Sequence, residues 1–331
     1  MNQKILLIGG GGYLGTILCC RLLEEGYTVR IFDSFIYGKR PVKIFKDDER
    51  VEVIEGDIRN IESVNKTMEG ISSVIHLAAV VGDPASAVRP EQTLQTNHLA
   101  SLVLAESCKM KKIKRFIYAS TCSVYGVGKE VLDEDAPLNP VSLYAKTKIS
   151  SEQSILAMMD DNFAPTIMRM STLYGWSPRM RFDLVVNTMT MTAFTEKKIN
   201  VYGGEQWRPL IHVKDAAEAY IEVLKKDTNE MAGKVYNVGS ETQNYKIKDV
   251  AKLIIGAIKN VEMNIEKTST DARDYRVSFK RIQDELGFTV KHGIAEAAKE
   301  IYEKLESGEI KDPKKKVYYN HYFDASEELI G

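Results

Sequence analysis

Four cysteines in 331 residues, Cys19, Cys20, Cys108 and Cys122, are too few for a disulfide framework. None forms a Cys-x-x-Cys pair with matching histidines, and there are five histidines in all, so no metal site is expected. Proline and glycine, 9 and 22, are too sparse for a collagen-like or low-complexity chain. Neither sign of charge dominates: 45 Lys and Arg against 46 Asp and Glu leave a net charge of −1. That balance excludes a generally basic nucleic-acid binder and a highly acidic disordered chain. No apolar run approaches the ~20 residues that cross a bilayer, and the amino terminus does not read as a signal peptide. The expected address is therefore a reducing cytoplasm, with no membrane or nucleic-acid partner.

The first half alternates short apolar runs with amphipathic stretches. Strands are predicted at Lys4–Ile8, Thr28–Phe32, Val51–Ile54, Ser73–Leu77, Arg115–Ala119 and Pro165–Arg169. Helices are predicted at Tyr13–Glu25, Thr93–Met110 and Ser142–Met159. This alternation predicts an α/β fold, a Rossmann-type doubly wound parallel sheet over residues 1–174. Residues 175–331 read as a smaller α+β substrate lobe with an interleaved boundary, since later segments complete the sheet. Helices recur there at Val213–Lys226, Lys246–Asn260 and Gly293–Leu305, while Arg179–Asp183 and Gly203–Pro209 read as loops. The tail, residues 311–323, joins a basic run to an aromatic cluster and reads as a surface segment packed back on the body, or as a subunit contact.

Gly9, Gly12 and Gly15 form a G-x-x-G-x-x-G turn between the first strand and helix. Such a turn lets backbone approach a pyrophosphate, whose charge meets the free N–H groups of the helix start. Asp33 ends the next strand, where a carboxylate accepts from ribose hydroxyls and repels a 2′-phosphate, so NAD is expected over NADP; nearby Arg40 softens that preference. Asp57 follows a later strand near the adenine position, with a helix N-cap as its alternative role. Tyr144 and Lys148 stand i, i+4 on one helix face, where an ammonium would lower the phenol pKa for proton exchange with an alcohol. The spacing alone is weak, because Tyr125 and Lys129 repeat it, but two glycines there make a poor helix.

Together with His76-Leu77-Ala78-Ala79, Asn97, the segment Ser120–Gly126, Leu173-Tyr174-Gly175, His212–Asp215 and Tyr236–Ser240, these motifs resemble the extended short-chain dehydrogenase/reductase family in its nucleotide-sugar epimerase/dehydratase branch, over nearly the whole chain. The resemblance implies a retained NAD, a nucleotide-diphosphate sugar in the C-terminal lobe, and chemistry through a 4-keto sugar. It places the catalytic set on Thr121, Tyr144 and Lys148. It places the cofactor set on Gly9, Gly12, Tyr13, Leu14, Gly15, Asp33, Asp57, Ile58, Leu77, Ala78, Ala79 and Asn97, with Tyr144 and Lys148. His76 and Asn97 read as scaffold even within the family. In the branch's 4,6-dehydratases an Asp-Glu pair follows the catalytic Thr, whereas here Cys122 and Ser123 follow it. Thr172 stands where many epimerases have Asn. The candidate substrate set is Cys122, Ser123, Thr172, Arg179, Arg181, Asn187, Arg208 and Arg273. The segment 177–187 resembles a subgroup with sugar-nucleotide 4-dehydrogenases and epimerases of surface-polysaccharide pathways. Two arginines suit a diphosphate because each binds it bidentately. The expected activity is 4-epimerisation of an activated hexose or heptose. A 4-dehydrogenase, an atypical dehydratase using Cys122 as acid, and a non-catalytic NAD-binding protein remain alternatives. By resemblance, the two long helices pair two copies into a homodimer.

Overall fold

The computed structural model describes residues 3–267, 271 and 273–322. Seven parallel strands form the central sheet, in the spatial order Val235–Val238, Ala164–Met170, Arg115–Thr121, Ser73–His76, Lys4–Ile8, Thr28–Asp33, Val51–Glu55. The inner strands are nearly continuous apolar runs because helices cover both faces; Ile5, Leu6, Leu7 and Ile8 are all fully buried. The chain winds outward in both directions from Lys4–Ile8, which pairs with Thr28–Asp33 on one side and Ser73–His76 on the other. That reversal opens a crevice at the carboxyl ends of the strands, where sheets of this topology bind ligands.

The strand Val235–Val238 comes from far along the chain, and the helix Val213–Lys225 packs beside Tyr13–Glu24 through the Arg21–Glu218 ion pair. Later segments thus complete the first layer. A separate three-stranded sheet, Thr172–Tyr174 beside Trp207–His212 beside Asn244–Lys246, carries the second lobe. Residues 203–209, read as a loop, end inside its middle strand. Pro209 lacks an N–H to give but stands at the last pair, opposite Asn244, where the ladder loses little.

The long helix expected over 93–110 starts at Pro90 and passes through a π turn at Gln95–Leu99. The widened turn frees the Asn97 carbonyl to accept the hydroxyls of Ser101 and Ser151, both at 2.8 Å. The helix Leu143–Ala157 begins where Ser142 accepts the N–H of Ala145 at 3.2 Å. Of the tail, residues 311–322 pack back onto the body, with Tyr318 edge-on to Phe182 at 5.6 Å; Phe323 lies outside the described residues.

Candidate active site

A cavity runs along the strand ends from Asp33 to Tyr144, walled by Gly9, Gly11, Gly12, Tyr13, Leu14 and Gly15, by Asp57 and Ile58, by Leu77, Ala78 and Ala79, and by Ser120 and Lys148. Two glycines are required there. Gly9 has φ +83°, and a Cβ on it would lie 2.6 Å from the Ala78 nitrogen. A Cβ on Gly15 would strike the Gly9 carbonyl, so the helix can approach the turn only as glycine. Asp33 accepts from the Gly11 and Phe35 N–H groups, at 2.9 and 2.8 Å, while burial raises its pKa. Asp57 chelates Arg59 and is held below its ordinary pKa by that guanidinium. Its alternative role falls to Asn60, which caps the next helix through the Ser63 N–H at 3.1 Å.

At the other end of the cavity, Tyr144 is buried and Lys148 is 2 % exposed. The expected ammonium–phenol coupling does not set these two groups. Burial pushes Tyr144 up to about 12, with Arg181 and the Thr121 hydroxyl pulling it down. Burial also pushes Lys148 down to about 7. Its Nζ donates to the Ala119 carbonyl at 2.8 Å and lies 4.6 Å over the Tyr118 ring. Thr121 ends the strand Arg115–Thr121, and its Oγ1 accepts the Ser123 N–H at 3.1 Å.

Several residues singled out in the sequence make their hydrogen bonds to the protein itself. Cys122 is 1 % exposed, and its thiol donates to the Arg169 carbonyl in the core, pushed above its ordinary pKa by burial. A thiol turned into the core in this way argues against its use as an acid. Asn97 is fully buried behind the wall: its amide oxygen accepts the Val80 N–H at 2.7 Å and its nitrogen donates to the Val80 carbonyl at 2.9 Å. Asn187 is likewise spent on protein, accepting from Gly175 N–H and donating to the Tyr13 hydroxyl and the Arg181 carbonyl. His76 meets the Ser101 hydroxyl at 2.8 Å, and burial holds it well below its ordinary pKa. Thr172 is half-buried opposite Leu210.

Arg208 and Arg273 do come together, through Asp271. Arg208 donates to that carboxylate at 2.8 Å, Arg273 chelates it, and Arg208 also donates to the Arg273 carbonyl. The two guanidiniums hold Asp271 below the usual carboxylate range against its partial desolvation. Arg273 reaches Asp83 at 3.4 Å, Ser123 stands beside the Tyr275 phenol, and Arg208 lies over the Tyr275 ring at 5.6 Å. Asp83 also faces Tyr144 electrostatically, so this cationic cluster adjoins the Tyr144 end of the cavity. Arg179 and Arg181, expected to meet the sugar or its diphosphate, line the cavity that runs from the glycine turn to Tyr144. Asp83, Tyr275 and Asp271 were missed because nothing local marks them, and Tyr37 and Asn320 because only folding brings the tail to this wall.

The model of the NAD dependent epimerase/dehydratase family matches residues 5–239. The chain is 28% identical over 312 residues to the UDP-glucose 4-epimerase of Corynebacterium glutamicum, covering 88% of this chain and 92% of that one. It is also 28% identical over 283 residues to the human dTDP-D-glucose 4,6-dehydratase, covering 82% and 78% respectively. A solved structure of MoeE5 in complex with UDP-glucuronic acid and NAD superposes with a TM-score of 0.81 at 25% identity, over 92% of this chain and 99% of that one.

Proposed function

The chain belongs to the NAD dependent epimerase/dehydratase family, and on that premise we propose that it is a 4-epimerase of a nucleotide-activated hexose or heptose. The cavity fits a dinucleotide. No side chain stands between the start of the helix Tyr13–Glu24 and the cavity, since Gly9 and Gly12 form the turn. Gly9, Gly12, Gly15 and Asp33 would hold NAD at its adenosine diphosphate half, and Lys148 at the nicotinamide ribose. Bound NAD supplies reversible hydride acceptance.

The chain's own residues handle the proton and the sugar. Tyr144 takes the proton of the C4 hydroxyl and later returns it. The Thr121 hydroxyl, its neighbour, hydrogen-bonds the same oxygen. Arg181 and the Thr121 hydroxyl are the groups that bring the buried phenol toward ionisation. Arg208 and Arg273 grip the substrate diphosphate in place of Asp271, a fixed point about which the keto sugar turns.

The observation that carries epimerisation over water elimination is the strand end after Thr121. Elimination needs an acid and a base beyond Tyr144. Cys122 faces the core, and Ser123 carries no carboxylate. The test is proton NMR of the protein with UDP-, GDP-, CDP- and dTDP-sugars, with NADH absorbance followed in parallel. A new anomeric signal without net NADH supports the proposal. Accumulating NADH with a ketone, or a deoxy-sugar signal, overturns it in favour of a dehydrogenase or a dehydratase.

We further propose a homodimer through the helix of residues 90–110, whose Leu99 and Val103 are 50% and 39% exposed one turn apart. Sedimentation at the mass of one chain would overturn this. Among the described residues no helix is long and apolar enough to cross a membrane.

A further inference from the structure

Arg179 is 4 % exposed, yet its Nε and Nη2 have no hydrogen-bond partner among the described residues. Its neighbour Arg181 is neutralised by a two-pronged pair with Asp183, at 3.0 and 2.9 Å. Arg179 has no carboxylate within ion-pair distance among the described residues. Two acids face it: Asp183 is taken up by Arg181, and Asp33 spends its oxygens on the backbone of Gly11 and Phe35. A guanidinium so placed is costly unless an anion completes it.

Its position is built. The Tyr13 hydroxyl donates to the Gly175 carbonyl at 2.5 Å, and the Ser177 hydroxyl donates to the Tyr13 carbonyl at 2.7 Å. These bonds pin the segment that carries Arg179 across the first turn of the helix Tyr13–Glu24. That helix has no side-chain cap and no acid in its first turn, so its N–H groups are also free for an anion. The guanidinium lies 4.1 Å from the centre of the Tyr37 ring, and the Tyr37 hydroxyl donates to the Asn320 carbonyl at 2.8 Å. Arg179 and the glycine turn wall the same cavity.

We propose that Arg179 is the counter-cation of the cofactor's diphosphate, delivered by the substrate lobe and held in place by Tyr37 and the tail. This rests on the NAD-binding reading above. It divides the arginines by ligand: Arg179 serves the cofactor, while Arg208 and Arg273 serve the sugar nucleotide. The lobe therefore closes on the cofactor by charge as well as by shape, which favours a cofactor retained through turnover.

The test compares the wild-type protein with Arg179→Met and Arg179→Lys. The readouts are NAD content after purification and calorimetric affinities for NAD, ADP-ribose, adenosine and UDP. Loss of one charge-assisted contact predicts an affinity drop of about 10- to 100-fold for NAD and ADP-ribose in Arg179→Met. Adenosine and UDP affinities stay unchanged, because neither probe reaches the cofactor's diphosphate position. Arg179→Lys keeps the charge but not the fork, so it loses part of that affinity and serves as the reading if Arg179→Met fails to fold. Unchanged ADP-ribose affinity in a folded variant, or a drop for UDP alone, overturns the assignment. A wild-type protein that binds neither NAD nor ADP-ribose would overturn the cofactor reading itself.

Discussion

Burial sets the charge states of the residues at the catalytic end. Tyr144 and Lys148 sit where the charged form of each is disfavoured, so the phenol rises and the ammonium falls. Tyr144→Phe removes the proton carrier while keeping the ring. Turnover is expected to fall at least about 100-fold, read by NMR of the sugar product, with the NAD content of the purified protein unchanged. A variant that retains turnover would remove Tyr144 from the chemistry. Lys148 makes a prediction about stability. Its folded pKa of about 7 lies below the unfolded value of about 10.5, so the unfolded chain binds more protons between those limits. The cost to stability is full below about pH 7 and fades as pH rises towards 10.5. Lys148→Met should therefore raise the melting temperature of the protein at pH 7 without added NAD, with a shrinking advantage at higher pH. A lower melting temperature at pH 7 would mean that the bond to the Ala119 carbonyl outweighs the desolvated charge.

The helix Leu143–Ala157, which carries Tyr144 and Lys148, is fastened to the sheet by a buried ion pair between elements. Arg169, on the strand Ala164–Met170, donates to both oxygens of Glu152, which also accepts the Ser120 hydroxyl beside the cavity. The same guanidinium donates to the Tyr125 hydroxyl at 2.9 Å and the Glu134 carbonyl at 3.1 Å. Removing one partner leaves a buried charge without its counterpart. Arg169→Met should cost about 3–5 kcal/mol in urea denaturation. A cost below about 1 kcal/mol would show that the network is not what fixes the helix. A second junction is His212, which caps the helix Val213–Lys225 by accepting the Lys214 N–H on Nδ1 at 3.2 Å, and whose Nε2 would be struck by a Cβ on Gly175. That bond requires Nδ1 without a proton.

Acid stability belongs to the whole molecule, because it sums buried groups that must stay neutral. Burial, with help from the nearby His292 and Lys214, lowers His212 to about 3, and His76 is also held well below its ordinary value. The unfolded chain binds more protons between about pH 6.5 and 3, so stability is lost as pH falls through that window. His212→Asn preserves a capping oxygen and removes one titrating group. Its unfolding free energy should fall less steeply than the wild type's between pH 6.5 and 4, measured by denaturant titration. An unchanged slope would show that His212 does not carry the acid sensitivity. Distant parts of the chain are likewise joined through the site. The glycine turn belongs to the first strand and helix, whereas Arg179 and Asn320 come from chain far beyond the first layer, yet all line one cavity.

Local chemistry was legible in the sequence wherever a residue's role depends on its immediate neighbours. The glycine turn declares itself because only glycine tolerates the approach of Gly15 to Gly9, and the strand-end Asp33 because the alternation of strands and helices gives its place. Tyr144 and Lys148 share one helix as their spacing predicts, and the parallel sheet follows from its buried apolar runs. Only the tertiary structure decided which way a side chain faces once elements pack. Cys122 and Ser123 are adjacent, but the strand end sends the thiol into the core and places Ser123 beside Tyr275. Arg179 and Arg208 both fall in segments that read as loops. The pinning of 175–177 on the first helix takes one to the dinucleotide cavity, and the pairing of Arg208 opposite Tyr245 takes the other to Asp271. Long-range packing sets these directions, and it also sets the burial that raises the Tyr144 phenol where a lowered one was expected.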